Sequence, residues 1–222
     1  MTNKRQSLAQ QIEATVAAFM ADLPEAEAQI IAESFAHLNA SNAAANAITV
    51  GEQAPDFLLP NAQGTTVRLY DRLASGPVVL SFYRGGWCPF CNLELQALQP
   101  RLPDIAALGA SLIALSPETP DNSLTTAEKL QLDFDVLSDP GNRTAREYGL
   151  LSAVYEAMRP LYLKWGLDVP AANGDDNWEL PVPATYLVDI SGKIHSAYID
   201  SDYTRRMDPG QLVAQLRDLQ GH

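Results

Sequence analysis

Six consecutive residues, Val78 to Tyr83, carry β-forming side chains in a run short enough for one buried strand, and Arg84-Gly85-Gly86 breaks it. A helix is predicted to start at Cys88. Pro89 suits a first helical position, where its missing N–H is no loss and its φ is already helical. Both cysteines of Cys88-Pro89-Phe90-Cys91 therefore fall in or beside the first turn of a helix that follows a strand. The free N–H groups and positive dipole end of that turn favour a thiolate and lower a thiol pKa. Arg84 adds a nearby cation if it points inward. The i, i+3 spacing lets the two sulfurs meet across one turn, so the pair can pass between dithiol and disulfide with little backbone movement.

Plainer roles compete with redox cycling. A structural disulfide closing so small a loop stabilises by roughly 2 kcal/mol, against about 4.7 for a 100-residue loop. A zinc site lacks a second C-x-x-C, and His37, His195 and His222 stand at no zinc spacing, so no metal and no other cofactor is expected. Inert packing of two core cysteines is the remaining alternative.

The rest of the chain bounds the setting. A length of 222 residues suits one domain with an extension. A net charge of −12 argues against nucleic acid or an anionic membrane as partner. The C-x-x-C pair holds the only cysteines, so there is no disulfide framework. Near Lys4 and Arg5 the nearest apolar stretch is interrupted by Glu13 and Asp22, which fits neither a signal peptide nor a membrane span. A reducing cytoplasm is the expected compartment.

Taken in order, residues 5–40 read as a helical pair. Leu8, Ile12, Val16, Phe19, Met20 and Leu23 repeat at threes and fours; Pro24 restarts the chain, and Ile30, Ile31, Phe35 and Leu38 form a second stripe. This extension (1–48) is expected to pack on the main domain (49–222) or to serve as a homodimer interface. Ser41 to Asn46 reads as a linker. A hairpin follows around Asn61-Ala62-Gln63-Gly64, then the central strand, the cysteine helix and a parallel strand at Ser111 to Leu115. Ser116 to Asp121 forms a loop at that strand's carboxyl end, the side where open α/β sheets place their sites. Helices are predicted at 124–132, 142–148 and 158–165, with a short strand at 134–137. Asn173 to Trp178 reads as a solvated loop that could instead cap a pocket. An apolar strand at 183–189 turns into Ile194 to Ile199, and Asp208-Pro209 opens a last helix. The class is α/β, a central mixed sheet flanked by helices.

Three stretches together carry a resemblance. They are Gly51-x-x-Ala54-Pro55-Asp56-Phe57, the segment Phe82 to Cys91, and Pro183 to Asp189 with its hairpin. From about residue 49 to the end the chain resembles the peroxiredoxin-like (AhpC/TSA-type) branch of the thioredoxin superfamily. The resemblance implies a thioredoxin fold with Pro183 as a cis-proline facing the cysteines. It also implies a hydroperoxide or disulfide substrate and an external thiol reductant of thioredoxin or glutathione type.

The family pattern has a proline seven residues before its peroxide-attacking cysteine, a threonine three before it, and an arginine on a later strand. Registered on Phe82-Tyr83, Cys91 takes the attacking position, Arg84 replaces the proline, Cys88 the threonine, and Pro183 falls where the arginine belongs. On the peroxidase reading Cys91 is peroxidatic, Cys88 traps its sulfenic acid, and Arg84 restores a donor for the leaving oxygen. Cys-Pro-Phe-Cys is also similar to a glutaredoxin motif. On the disulfide-reductase reading Cys88 attacks, Cys91 resolves, and Trp87 and Pro183 line the groove. A third reading is a non-catalytic thioredoxin-fold interaction module. Glu94 is expected to be a solvated helix residue and Arg205 with Arg206 a surface pair, and no buried acid is identified.

Overall fold

The computed structural model describes residues 6–221; Lys4, Arg5 and His222 fall outside them. Two helices come first, α1 (Leu8–Ala21) and α2 (Glu25–Ser41). Ser7 caps α1 in a reciprocal capping box with Gln10. A hairpin of β1 (Leu58–Pro60) and β2 (Thr66–Arg68) leads through α3 (Leu69–Leu73) into the central strand β3 (Val78–Phe82). The cysteine helix α4 (Pro89–Leu98) tightens into a 3-10 turn at Gln99–Arg101 and restarts as α5 (Leu102–Ala107). Pro100 and Pro103 account for the break, since each removes an N–H from the helical ladder.

Next come β4 (Ser111–Ser116), α6 (Pro120–Leu130), β5 (Asp135–Ser138) and α7 (Arg143–Glu147). An irregular stretch holds β6 (Leu151–Ala153), α8 (Met158–Lys164), α9 (Val169–Asn173) and β7 (Glu179–Pro181). The chain ends with β8 (Ala184–Val188), β9 (Ile194–Ile199) and α10 (Pro209–Gln220). As Asp208-Pro209 foretells, the Asp208 carboxylate accepts from the N–H groups of Gly210 and Gln211.

Five strands form one mixed sheet in the order β5-β4-β3-β8-β9. The β3–β4 and β4–β5 pairs are parallel; β3–β8 and β8–β9 are antiparallel. This is the thioredoxin-type arrangement, with a helical N-terminal region added. β3 and β8 are buried along their whole length, because helices or the hairpin cover both faces. The two-residue period sorts their side chains. Val79 and Leu187 join Leu95, Ile105 and Leu216 on one face, while Val78, Leu80, Phe82 and Tyr186 join Val67 and Tyr148 on the other.

A third cluster lies beside the sheet. Ile31 of α2 packs with Met158, Leu161 and Tyr162 of α8 and with Leu180 of β7, and Trp87 touches both this cluster and the first. α1 packs on α4 itself. Leu8, Ile12 and Ile31 are buried within their own chain, whereas Phe19 and Met20 stay exposed, so the stripe is covered only in part. Among the described residues no helix is long and apolar enough to cross a membrane.

Some expectations need correction. Residues 42–46 are a pinned turn rather than a free linker: Ala47 is buried, and the Ile48 N–H donates to the Tyr148 carbonyl at 3.1 Å. α6 starts at Pro120 instead of 124, again with proline in the first turn. β6 and β7 were not foreseen; three residues each, one of them Pro181, are too few to show alternation. Asn173, read as part of a solvated loop, is the buried end of α9.

Candidate active site

The turn from β3 into α4 is built on two close approaches. At Gly85 (φ +151°) a Cβ would sit 2.3 Å from Trp87 Nε1, and at Gly86 it would sit 1.9 Å from Thr126 Oγ1. Only glycine lets the Trp87 indole fold back over the turn and lets α6 approach it. The Gly86 N–H donates to Glu118 Oε2 at 2.8 Å, and Asn92 Nδ2 donates to the Gly86 carbonyl at 2.8 Å. Cys88 is the N-cap of α4 and Pro89 its first residue. Cys91 lies one turn further in.

Both thiols are free and almost wholly buried, Cys88 at 1% and Cys91 at 0% exposure. Cys88 is therefore not exposed at a helix tip. It is reached through a cavity of about 570 Å³ that it lines with Arg84, Trp87 and Phe90, whereas Cys91 lies behind it. The two thiols also differ in acidity. Burial opposes ionisation of Cys88, but the neighbouring Cys91 thiol and the Arg84 and Arg206 guanidiniums outweigh it, so its pKa falls below the ordinary thiol value. Burial, and the neighbouring Cys88, push Cys91 well above that value. The pair loses its first proton easily and its second with difficulty, the charge resting on Cys88.

Arg84 turns inward, at 7% exposure. Its Cζ lies 4.1 Å from the Tyr203 ring centroid, 5.2 Å from Trp87 and 5.9 Å from Tyr162, and its Nη2 donates to the Tyr162 hydroxyl at 2.6 Å. Burial alone would weaken its hold on the proton; the Tyr162 phenol and Cys88 more than offset that, so it stays charged.

Sequence reasoning missed a second cation. The Arg206 side chain is buried, 2% exposed, and only Arg205 lies at the surface as expected of the pair. Arg206 Nε donates to Glu94 Oε2 at 2.7 Å and its Nη2 lies 3.5 Å from Cys91 Sγ; Nη1 donates to the carbonyls of Tyr203 and Arg205. Glu94, expected in solvent, is buried, and burial pushes its carboxyl up to about 7 against the pull of Arg206. A signal was present. Cys91, Glu94, Leu95 and Leu98 share one helix face, so a carboxylate sits in an apolar stripe and needs a cation. A second buried acid that went unidentified is Glu118, in the loop after β4; burial pushes it up to about 7, and it faces a separate, more polar cavity with Asn122, Thr126 and Lys129.

Two site expectations change. Val182–Pro183 is trans, as is every peptide bond among the described residues. Pro183 does not line the Cys88 cavity; it lies behind Arg84, on a small void shared with Tyr162 and Tyr203. Trp87 does line the Cys88 cavity, its indole N–H buried without a partner among the described residues.

With this geometry in place, three comparisons bear on what the chain is similar to. The model of the AhpC/TSA family matches residues 50–197. A putative peroxiredoxin of Mycobacterium tuberculosis is 30% identical over 172 residues, covering 78% of this chain and 95% of the relative. The putative peroxiredoxin bcp of Haemophilus influenzae is 32% identical over 105 residues, 47% of this chain and 67% of the relative. Among solved structures, peroxidoxin BcpB of Mycobacterium tuberculosis superposes with a TM-score of 0.61 at 23% identity, covering 78% of this chain and 98% of that one.

Proposed function

This chain belongs to the AhpC/TSA family, and on that premise we propose that it reduces hydroperoxides with Cys88 as the attacking sulfur and Cys91 as the resolving one. It is a thiol-dependent peroxidase of peroxiredoxin type. The observation that carries the assignment of roles is the asymmetry of the pair. Cys88 lines the cavity and its pKa is lowered, while Cys91 does not line it and its pKa is raised by burial. This reverses the roles that registering the sequence on the family pattern suggests.

The Cys88 thiolate attacks the outer oxygen of R–O–O–H, and the O–O bond breaks. Cys88 becomes a sulfenic acid, S–OH, and the leaving oxygen departs as R–OH with the proton held by Cys91. Arg84, with one hydrogen bond to Tyr162 and further donors on its guanidinium, is suited to steady the charge on that oxygen as it leaves. Cys91, now a thiolate beside Arg206, attacks the sulfenic sulfur. A disulfide forms and hydroxide leaves, taking a proton from solvent. An external thiol reductant of thioredoxin or glutathione type then restores the dithiol, as a reducing cytoplasm would allow. No other cofactor is needed. The rival reading, a protein disulfide reductase, requires a partner chain to reach a sulfur that is enclosed by the N-terminal helices.

Single Cys→Ser variants exposed to hydrogen peroxide, with sulfenate trapping, test this. Sulfenate should accumulate on Cys88 in Cys91→Ser, and far more slowly on Cys91 in Cys88→Ser. Faster trapping on Cys91 reverses the roles again. No peroxide-dependent oxidation of either, alongside rapid reduction of insulin disulfides, favours the disulfide reductase.

A further inference from the structure

We propose that Glu118 is a positioning residue for peroxide reduction, a carboxylate outside the Cys88 cavity that ties down the turn carrying Arg84, Trp87 and Cys88; this rests on the peroxidase reading above. Beyond Tyr83 the chain leaves the sheet, and the turn's own backbone supplies one bond, from the Cys88 N–H to the Gly85 carbonyl at 3.1 Å. Side chains hold the rest. The Gly86 carbonyl accepts from Asn92 Nδ2 and the Gly86 N–H donates to Glu118 Oε2, each at 2.8 Å. Asn92 belongs to α4 and travels with the cysteines. Glu118 does not: Ser116 ends β4 and its carbonyl accepts from the Asp139 N–H, while the Thr119 N–H donates to the Ala172 carbonyl of α9. The bond from Gly86 to Glu118 therefore fastens the cysteine turn to the sheet and to α9.

The charge on this tie calls for a reason. Glu118 is 3% exposed, and among the described residues no cation pairs with it. A neutral amide would accept the same hydrogen bond at a smaller desolvation cost. A carboxylate does two things that an amide cannot. It makes the bond to Gly86 charge-assisted and so roughly twice as strong. It also places a negative charge where a Cys91 thiolate is opposed, which helps Cys91 keep its proton until the O–O bond breaks.

Protons reach Glu118 from the cavity of about 460 Å³ that it lines, on the far side of Trp87 from the Cys88 cavity. The other titratable groups around it are accounted for. Lys129 of α6 shares the cavity without forming an ion pair, and Asp168 accepts from the Ala171 N–H at the start of α9. The Tyr83 phenol is kept from ionising by burial and by Glu118 itself, and Cys91 is held protonated. Glu118 titrates at about 7, so its charge is in place at pH 8 and mostly gone at pH 6. The turn is then held more firmly on the alkaline side of that midpoint.

The test compares single-turnover oxidation of the full chain by hydrogen peroxide at pH 6 and pH 8 in the wild type, Glu118→Gln and Glu118→Ala. Glutamine has the shape and the acceptor of the protonated acid. At pH 6 it should match the wild type within about twofold, and at pH 8 it should be at least fivefold slower, the margin of a charge-assisted over a neutral hydrogen bond. Alanine, with no acceptor, should be slower than glutamine at both pH values. A ratio of wild type to Glu118→Gln that is the same at pH 6 and pH 8, or an alanine variant as fast as the glutamine one, would overturn the inference. The Gly86 amide proton supplies a readout apart from activity. In Cys88→Ser/Cys91→Ser, where no thiol titrates, its chemical shift should move with a midpoint above the ordinary carboxylate range, and adding Glu118→Gln should abolish the movement. A Gly86 shift that is flat with pH overturns the tie. A shift that titrates, in a protein whose sulfurs hydrogen peroxide does not oxidise, overturns the peroxidase reading and leaves the tie in place.

Discussion

Replacing Arg206 with methionine should cost stability in a way that depends on pH. The arginine reaches a carboxylate 112 residues away in sequence at 2.7 Å, with side-chain exposures of 2% and 4% for the two partners. Removing one member of such a pair strands the other, at a cost of about 3–5 kcal/mol when the stranded group stays charged. Glu94 has an escape, because its carboxyl titrates at about 7. At pH 8 the pair is ionised and the loss should be about 3 kcal/mol, a fall of roughly 6–12 °C in Tm for a chain of this size. At pH 6 Glu94 is mostly protonated in the wild type already, and the loss should shrink towards the net value of one hydrogen bond, about 1 kcal/mol. Thermal unfolding of the wild type, Arg206→Met, Glu94→Gln and the double variant at both pH values gives the coupling directly. The coupling should exceed about 1.5 kcal/mol at pH 8 and lose more than half of that at pH 6. A coupling near zero at pH 8, or one indifferent to pH, would refute the argument that this is a desolvated ion pair.

Four further outcomes follow from the same geometry. Alkylation of Cys88 by iodoacetamide should show a midpoint below the ordinary thiol value near 9, rising towards it in Arg84→Met. Because the folded pKa of Cys88 is depressed, the unfolded chain binds more protons between that midpoint and about 9. The ionised thiol therefore stabilises the fold increasingly as pH rises through this window and ceases to do so below it; Cys88→Ser should flatten the Tm–pH curve there. Arg84→Met should also slow sulfenate formation about 10²- to 10³-fold, the usual loss when a donor to a developing oxyanion is removed, as stopped-flow fluorescence would show. Gly86→Ala should destabilise by about 1–3 kcal/mol in chemical denaturation, and Thr126→Ala should restore part of it by withdrawing the hydroxyl that the new methyl strikes.

What could be read from the chain beforehand was whatever short-range chemistry decides. Val78 to Phe82 is a strand because a continuous apolar run suits a doubly covered sheet position, and Pro89 marks the helix start for the reason given by its fixed φ. Cys88 and Cys91 share a turn because their spacing leaves little choice. Arg206 was out of reach by such reasoning. It sits in an aperiodic stretch between Ile199 and Pro209, and its partners are on a helix more than a hundred residues earlier. The hint lay on the other partner, since Glu94 occupies the buried stripe of α4. The N-terminal helices were legible as helices, but their place over the cysteines was not. An apolar stripe says that a face will be covered, and leaves open by what.

On the register that sets Cys91 at the family's attacking position, Cys88 stands where the pattern has a threonine, and its chemistry involves both cations. A hydroxyl in that place can donate a hydrogen bond to a neighbouring thiolate and nothing more, since it neither ionises near neutrality nor bonds to oxidised sulfur. A thiol can do all three, so adding it to a site with one cation risks an idle pair sharing one proton. Here Arg84 comes from the turn before α4 and Arg206 from the loop after β9, each close enough to bear on both sulfurs. Two fixed positive charges make the first ionisation easy, and burial makes the second hard. On the proposed assignment the resting site holds one nucleophile and one proton donor side by side, which is what breaking an O–O bond into a sulfenic acid and an alcohol consumes. Glu94 limits the effect by neutralising part of Arg206, and in Glu94→Gln the second ionisation should become easier. The resting site would then lose its proton donor at a lower pH, and the alkaline limb of the sulfenate-formation profile should move down in pH while the acid limb, set by Cys88, moves less. An alkaline limb that stays in place or moves up would show that Glu94 does not act on the cysteine pair through Arg206.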